Sequence, residues 1–411
     1  MSDKLDKHIL KNGMVILGEQ MEAVRSVAFV FMLPSGAARL PDGCGGAGKV
    51  ICDWIFRGAG KRDGRGLVEA LDGLGLHRSS GVGSSHITIG AALEADNLGP
   101  ALELYADVIL RPRLDNEQFE LSRELAVQAL LGLDDDPRSK VGLKLREQFY
   151  PRPWGDNPFG SEGELKKLTA EKAEQIIKQG IDPNKIIFSV AGKYDFDKVC
   201  LQLENLFSEK TSDGAQEITP NQKGKRYVHE QYDGAQVHIG VMTSTVPIRS
   251  EDYYDVRAVT SILGGSMSSR LFTEVREKRG LCYAIGAQYH SLKDMAGIIC
   301  YAGTTPEKAQ ETLDVILREF DRLAEGISDE EIEKAKVKLK SSLIMESESS
   351  SNRAGAIAGD YYLLDRVRSL SEIKNKVEER NVDSVMNFLR NNKFGDFTVV
   401  TIGPREVKIR D

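Results

Sequence analysis

The sequence predicts an α+β protein built from two copies of one domain. Its 411 residues are 41% hydrophobic and 28% charged, which is the composition of a globular chain too long for a single core. Strand-like and helix-like segments are interspersed, without the strict order of a doubly wound parallel sheet. Several landmarks also recur at nearly one spacing. We therefore expect two homologous domains, each a mostly antiparallel sheet covered by helices on one side.

The internal repeat is carried by apolar strand segments and by one acidic helix start. The recurring pairs, at offsets of 210, 213 and 211 residues, are Val27–Leu33 with Val237–Thr243, Leu114–Glu120 with Ile327–Glu333, and Ile186–Gly192 with Phe397–Gly403. A nearly constant offset over three landmarks indicates duplication of a whole domain. The sequence thus predicts domains at 1–207 and 226–411. The segment 208–225 between them is polar and contains Pro and Gly, as expected of an exposed linker.

Apolar residues at helical spacing predict the longer helices. In the first half they cover 101–110, 117–133 and 169–179, and in the second half 305–324 and 329–345. The last of these begins after Ser328, with Glu331 three residues later, which is the pattern of a capping box.

Composition excludes several classes of function. A net charge of −7 and the lack of a basic tract with interleaved aromatic residues argue against a nucleic-acid partner. The five cysteines are scattered, odd in number and without paired spacing, which argues against a disulfide framework and a zinc knuckle. The N-terminus is polar and no apolar run is long enough to span a membrane, so we expect a cytoplasmic protein without a membrane partner.

The glycine-rich stretch from Gly43 leads into a short helix with two different flanks. Val50, Ile51 and Trp54 fall on one flank and form its core side, whereas Lys49, Cys52 and Asp53 share the opposite flank. Taken alone, Lys49 and Asp53 are spaced for an ordinary i,i+4 ion pair. Gly43 to Lys49 also mimics a phosphate-binding loop, but Val50 replaces the hydroxyl residue that would hold magnesium. A phosphate-binding enzyme is therefore a remote alternative.

Residues 46–59 resemble a segment of the pitrilysin/insulinase metallopeptidases, the inverted zincins, whose helix carries His-x-x-Glu-His. By this resemblance, Lys49 and Asp53 occupy the positions of the two zinc-binding histidines, and Cys52 that of the general base. Counting back from Pro137, the third zinc ligand falls on Ala129. An ammonium group and a methyl group cannot ligate zinc, so the resemblance implies a degenerate site without a metal or other cofactor on this chain.

The second half keeps a different part of the family pattern. Residues 264–283 are similar to its C-terminal motif, in which an arginine and a tyrosine seven residues apart reach a peptide bound at the zinc. The resemblance places Arg276 and Tyr283 in these roles, binding substrate and stabilising the oxyanion. Taken alone, the motif also fits a basic helix end, Gly280 as its cap and a buried tyrosine.

The resemblance covers nearly the whole chain and implies a function in a complex. Family members of this length pair as clamshells, and in some heterodimers one subunit carries the zinc motif and the other the arginine and tyrosine. We expect this chain to be the non-catalytic subunit, paired with a zinc-bearing homologous peptidase that acts on peptides. An inert scaffold subunit, like the core proteins of respiratory complexes, is the alternative, and pairing with a second copy of this chain stays open.

Overall fold

The computed structural model describes residues 5–180, 182–208 and 222–409. Within these residues, the strands are β1 Leu5–Ile9, β2 Val15–Gln20, β3 Ser26–Leu33, β4 Gly58–Ala59, β5 Arg62–Asp63, β6 His77–Val82, β7 Ile87–Glu94, β8 Ile187–Gly192, β9 Tyr227–Gln231, β10 Val237–Thr245, β11 Cys282–Ser291, β12 Ala296–Thr304 and β13 Thr398–Gly403. The α-helices are α1 Ala47–Trp54, α2 Gly64–Gly73, α3 Leu98–Leu110, α4 Asn116–Leu131, α5 Pro137–Phe149, α6 Glu162–Lys167, α7 Ala170–Gly180, α8 Phe196–Phe207, α9 Tyr253–Gly264, α10 Ala309–Glu325, α11 Asp329–Ser347, α12 Ser350–Leu364, α13 Leu370–Glu378 and α14 Val382–Asn391.

Two main sheets share one strand order. The first sheet runs β6-β7-β3-β8-β2-β1, and the second runs β11-β12-β10-β13-β9. In each sheet the pairing is antiparallel except at one place, β2 with β8 and β9 with β13, which are parallel. Strands that hold the same position in the two sheets also hold equivalent positions in the two halves of the sequence. The predicted α+β class with two repeated, sheet-containing domains is confirmed.

The chain divides into two compact units, and each includes one segment from the opposite half of the sequence. Unit 1 consists of the described parts of 1–132, 152–221 and 346–367, and unit 2 of 133–151, 222–345 and 368–411. Unit 1 therefore includes α12, and unit 2 includes α5. The repeat in the sequence gives no sign of this exchange. The predicted boundaries at 207 and 226 stay a prediction, and most of the predicted linker, 209–221, lies outside the described residues.

Each strand of the unit 1 sheet divides its side chains between two layers of core. Val27, Phe29 and Phe31 of β3 point into the main core, beneath α1, α3 and α8. The alternate residues Ala28 and Val30 belong to a second layer that includes Ala354 of α12. Helices from the same half thus cover one face, as predicted, and the exchanged helix α12 covers the other.

An ion pair with little exposure to water fixes α12 on its sheet. Arg353 bonds through two nitrogens to the carboxylate of Glu19 on β2, and the two side chains are only 6% and 12% exposed. Ser189 of β8 also donates a hydrogen bond of 2.6 Å to the Ala354 carbonyl. Burial of both charges makes their pairing a strict requirement, because an unpaired ion there would lose its water without compensation.

The repeat reproduces this arrangement in unit 2. Lys140 of α5 bonds to Glu230 of β9 at 2.5 Å. Lys140 lies 213 positions before Arg353, and Glu230 lies 211 positions after Glu19. Helix α5 also packs closely on β10, where a Cβ added to Gly240 would lie 2.6 Å from Val141 Cγ1. The same device therefore holds an exchanged helix on each sheet.

The helices predicted from periodicity agree with α3, α4, α7, α10 and α11 to within a few residues. The capping box before α11 is present, because Ser328 Oγ accepts from the Glu331 amide and Glu331 Oε2 accepts from the Ser328 amide. In the described part of the chain, no helix is both long and apolar enough to cross a membrane.

Replacing Arg353 with Ala is expected to destabilise unit 1 by about 3 kcal/mol, because it leaves the Glu19 carboxylate buried without its cation. The measurement is the free energy of unfolding in urea. Lys166→Ala removes an exposed i,i+4 partner of Glu162 and is the matched control, with an expected cost below about 0.5 kcal/mol. An Arg353→Ala variant as stable as this control would show that the buried pair does not hold α12.

Candidate functional site

Helix α1 begins at a sharp turn that only glycine accommodates well. Gly46 has a φ of +82°, and a Cβ there would meet the Phe159 carbonyl oxygen at 2.5 Å. From this turn, Val50, Ile51 and Trp54 enter the core with almost no exposure. The predicted inner flank of the helix is therefore the one observed.

The opposite flank of α1 lines an open pocket beside β6. Its lining includes Lys49, Cys52 and Asp53 from α1 and Arg78, Ser80 and Val82 from β6. The structure thus brings three of the four residues of the degenerate site together. Ala129 is exposed on α4 and is not part of the lining.

The charged residues of the degenerate site do not pair with each other. Asp53 accepts hydrogen bonds from Arg57 Nε at 2.5 Å and from Ser122 Oγ at 2.6 Å. The Lys49 ammonium instead lies 4.4 Å from the centre of the Phe159 ring. The Lys49–Asp53 ion pair suggested by the i,i+4 spacing is therefore wrong, because Arg57, one turn later, and Ser122 of α4 donate to the Asp53 carboxylate instead.

The thiol of Cys52 is poorly suited to act as a base or a ligand. The residue is 7% exposed, and burial raises the pKa of the thiol, while a hydrogen bond with Ser80 lowers it to a smaller extent. The net shift is upward, which keeps the thiol protonated near neutral pH.

The donors at the family's zinc positions do not fit zinc. Lys49 offers a cation and Ala129 a methyl group, and neither can bind zinc. Of the two potential donors that remain, Asp53 is paired with Arg57 and Cys52 is a protonated thiol. Across residues 5–180, 182–208 and 222–409, no group of three or more His, Cys, Asp or Glu side chains is arranged to hold a metal.

The glycine turn before α1 already holds an anionic group of the protein itself. The Gly45 amide donates to Glu164 Oε1 at 3.2 Å, and a Cβ on Gly45 would meet that carboxylate within 3 Å. Ser161 Oγ donates to the other oxygen of Glu164 at 2.6 Å. A phosphate at this turn would therefore meet a carboxylate of the same charge sign.

Arg276 lies in a short stretch of π-helix, Phe272–Glu277. The stretch ends where Gly280, at a φ of +56°, donates its amide to the Arg276 carbonyl, and the Leu281 amide reaches the Val275 carbonyl. Gly280 thus acts as the cap that the sequence suggested. Such π-helical turns are uncommon and are often found at functional sites.

Tyr283 lies at a β-bulge. Cys282 is opposite Thr304 and Ala284 is opposite Gly303, so the register of β11 with β12 leaves Tyr283 without a partner residue. A bulge bends the strand and changes the direction of a side chain. The Tyr283 side chain is 79% exposed, so the alternative of a buried tyrosine is wrong.

The two irregular elements bring Arg276 and Tyr283 together. The Arg276 guanidinium carbon lies 5.0 Å from the centre of the Tyr283 ring and 4.8 Å from that of Phe272. Among the described residues, no carboxylate lies within 4.0 Å of this guanidinium. Its position is therefore set by two aromatic faces, which leaves its N–H groups available to a ligand.

A neighbouring carboxylate is occupied by other cations. Glu274 bonds to Arg279 at 2.6 Å and to Lys278 at 2.7 Å, and Arg322 lies 3.7 Å away. Hydrogen bonds from Arg279 and then Lys278 lower the pKa of Glu274 to about 2. Because Glu274 is held by these cations, it does not neutralise Arg276.

A guanidinium and a phenol side by side can both donate to one carbonyl oxygen. Such donors bind a peptide carbonyl and stabilise negative charge that develops on its oxygen. Sequence reasoning missed Phe272 and Glu274, although Phe272 lies one helical turn before Arg276 and could have been found by that spacing. It also missed Arg78, because nothing in the sequence shows that β6 lies beside α1.

Comparison with known proteins agrees with these observations. Residues 167–339 match the family model described as the peptidase M16 inactive domain. An uncharacterized zinc protease of Rickettsia felis is 25% identical over 99% of this chain and 100% of its own length. The uncharacterized zinc protease YmxG of Bacillus subtilis is 24% identical over 97% of this chain and 98% of its own.

Solved structures share the fold at low sequence identity. A peptidase M16 inactive domain from Pseudomonas fluorescens superposes with a TM-score of 0.89 at 17% identity, over 99% of both chains. A chain of complex III2 from Candida albicans gives a TM-score of 0.84 at 18% identity, over 98% of this chain and 96% of that one. The chain is therefore a homologue of the pitrilysin/insulinase (M16) metallopeptidases, of the half-length, inactive type that lacks the zinc motif.

Proposed function

We propose that this chain is the non-catalytic subunit of a heterodimeric zinc metallopeptidase, to which it supplies Arg276 and Tyr283. One observation carries the proposal. An exposed tyrosine on a bulge lies beside an arginine that has aromatic neighbours and, among the described residues, no carboxylate within 4.0 Å. A guanidinium and a phenol at the surface can donate to the same acceptor, and a peptide carbonyl oxygen suits both donors.

The partner in this proposal is a homologous subunit of similar length that carries the zinc motif. This chain would contribute no metal and no general base, because Lys49, Cys52, Asp53 and Ala129 lack the required chemistry. Its own contribution would be to orient the substrate carbonyl and to stabilise the oxyanion at the partner's site. We place this assembly in the cytoplasm, and its substrate is a peptide.

An inert scaffold subunit is the second candidate, and its support is the likeness in fold to a complex III chain. A scaffold subunit would not use the arrangement at Arg276 and Tyr283. The peptidase activity of the partner measured without this chain therefore separates the two candidates, because a partner that needs no lent residues would be fully active alone. A phosphate-binding function at Gly43–Lys49 has the weakest support, because Glu164 already occupies the glycine turn.

The purified chain is expected to contain no stoichiometric zinc, because its ligand positions offer an ammonium, an engaged aspartate and a methyl group. Elemental analysis by mass spectrometry is the measurement. As a positive control, the combined substitutions Lys49→His, Cys52→Glu, Asp53→His and Ala129→Glu restore the family's donor set and are expected to introduce zinc binding. About one zinc per unmodified chain, lost in Asp53→Ala, would contradict the proposed degenerate site.

Replacing Arg276 with Ala, or Tyr283 with Phe, is expected to lower kcat/KM of the assembled pair about a hundredfold, the usual effect of losing one oxyanion donor. Both variants are expected to fold and to associate, because both side chains are partly or largely exposed. Peptide turnover by the pair, with association measured separately, tests this.

Arg65→Ala is the matched control for the arginine, since Arg65 is 88% exposed and its ion pair within the described residues is with Glu69, one turn away. It is expected to leave turnover unchanged. A partner that is fully active alone, or Arg276 and Tyr283 variants that act at the unmodified rate, would leave the scaffold as the better explanation.

A further inference from the structure

The C-terminal end of α5 carries an arginine whose guanidinium has no hydrogen-bond acceptor in the described chain. Arg146 lies in the last turn of α5 and is half-buried. Across residues 5–180, 182–208 and 222–409, no carboxylate lies within 4.0 Å of this guanidinium, and none of its N–H groups donates a hydrogen bond. Burial lowers the pKa of Arg146, because loss of water penalises the charged form.

A favourable interaction with the helix end does not use these donors. The positive charge of Arg146 is stabilising near the last carbonyl groups of α5, but that attraction leaves the guanidinium N–H groups without an acceptor. Glu147, the next residue, is exposed and points about 100° away around the helix. The cation at this place therefore offers unused donors.

A histidine from β11 lies at the same place. His290 Nδ1 lies 2.8 Å from Tyr150 Oη, and Tyr150 follows Arg146 by one helical turn, with its amide donating to the Arg146 carbonyl at 2.9 Å. Burial, and to a smaller extent the charge of Arg146, lowers the pKa of His290 to about 4. No carboxylate is among the groups that shift the pKa of His290 or of Arg146. The imidazole is therefore neutral near pH 7 and has no acid beside it.

The contact with Tyr150 decides which ring nitrogen of His290 carries the proton. The phenol has one proton, and His290 Nδ1 at 2.8 Å is a nearer acceptor than the His290 carbonyl at 3.4 Å. This difference assigns the ring proton to Nε2. In the part of the chain that the structure describes, no group accepts a hydrogen bond from Nε2. The half-buried imidazole thus adds a second unused donor beside Arg146.

A further cation lies next to this pair. The ammonium of Lys223 is 5.2 Å from the centre of the Phe149 ring, and that ring packs edge-on against Tyr150 at 4.9 Å between centres. The arginine on the opposite side of β11 differs, because the Arg257 guanidinium donates to Tyr253 Oη at 2.9 Å. The end of α5 therefore combines positive charge with donors that the described chain does not use.

We propose that the end of α5 binds a single oxyanion group, the carboxylate or phosphate of a small anion. Arg146 would donate to two of its oxygens through the fork of its guanidinium, and His290 would donate through Nε2. Tyr150 would act as a positioning residue, because its hydroxyl fixes the ring and the tautomer of His290. Lys223 would attract the anion from solvent.

Other kinds of ligand fit this place less well. A metal cation would be repelled by Arg146, and the Tyr150 phenol already occupies His290 Nδ1. A nucleic acid would need a continuous basic surface, whereas the chain has a net charge of −7. One oxyanion matches the small number of donors.

The test uses the full chain without any partner, so it does not depend on the proposed function. Sulfate is the first probe, because its charge does not change near neutral pH, and it is titrated at constant ionic strength against sodium chloride. Binding is followed by NMR of isotope-labelled histidine, whose six ring signals include that of His290. The His290→Gln variant identifies that signal. We expect it to shift in a saturable way at millimolar sulfate, while the other five move little.

Inorganic phosphate and acetate are then titrated in the same way. Saturation by phosphate alone would assign the site to a phosphate group, and saturation by acetate alone to a carboxylate. The ring nitrogen shifts of His290 report its tautomer directly. We expect the Nε2–H form in the unmodified chain and a mixture of both forms in Tyr150→Phe, with weaker sulfate binding in that variant.

Arg146→Gln is expected to weaken sulfate binding at least about tenfold, because it removes the charge and the fork of donors. Arg138→Gln is the matched control, at an exposed arginine of the same helix, two turns earlier, that lies over the Tyr301 ring. It is expected to change binding little. Arg146→Lys keeps the charge and is expected to bind with intermediate affinity. Circular dichroism establishes that the variants fold.

Three results would overturn the proposal. The first is the absence of a saturable shift of the His290 signal with all three anions in the unmodified chain, a result that no variant is needed to obtain. The second is unchanged binding in Arg146→Gln, or in Arg146→Lys if the glutamine variant does not fold. The third is an equal loss in Arg138→Gln and Arg146→Gln, which would show that the anions respond only to the general charge of α5.

Discussion

A glutamate paired with a cation on the parallel strand of each sheet is the interaction on which the architecture depends. Glu19 and Glu230 occupy equivalent strands of the two sheets. Glu19 pairs with Arg353 of α12, and Glu230 pairs with Lys140 of α5, so each glutamate holds a helix from the opposite half of the chain. Without these helices, the second face of each sheet, including Ala28 and Gly240, would be left without its apolar cover. The duplication therefore produced two sheets that each require a segment from the opposite half of the chain.

The two candidate sites differ in which charges are satisfied internally. At α1, the acid Asp53 is paired with Arg57, and no carboxylate of the described residues lies within 4.0 Å of the Lys49 ammonium. At the π-helical turn, the acid Glu274 is paired with Lys278 and Arg279, and Arg276 contacts two aromatic rings, with no carboxylate within 4.0 Å in the part of the chain that the structure describes. Each site thus presents a cation, and the acid nearest to it is already paired with other cations. An ammonium or guanidinium beside an acid that is already paired offers no donor set for a metal cation at either place.

The local irregularities at the second site have a clear physical role. A regular helix and a regular strand would fix the directions of Arg276 and Tyr283 by their periods alone. The π-helical turn shifts the first direction, and the bulge between Cys282 and Ala284 changes the second. Their combined result is a guanidinium in contact with an exposed phenol ring. Such departures from regular structure lower stability, and they are retained most often where function needs the resulting geometry.

The sequence by itself determined the α+β class, the duplication and the missing zinc donors, because these depend on residue identity and spacing. A periodic apolar pattern specifies a helix such as α11 wherever it packs, and Lys49 cannot ligate zinc in any fold. Only the tertiary structure decided which helix covers which sheet, that Asp53 pairs with Arg57 rather than Lys49, and that Tyr283 is exposed. These outcomes depend on contacts between residues far apart in the chain, such as Ser122 with Asp53 and Arg353 with Glu19, and no local pattern encodes them.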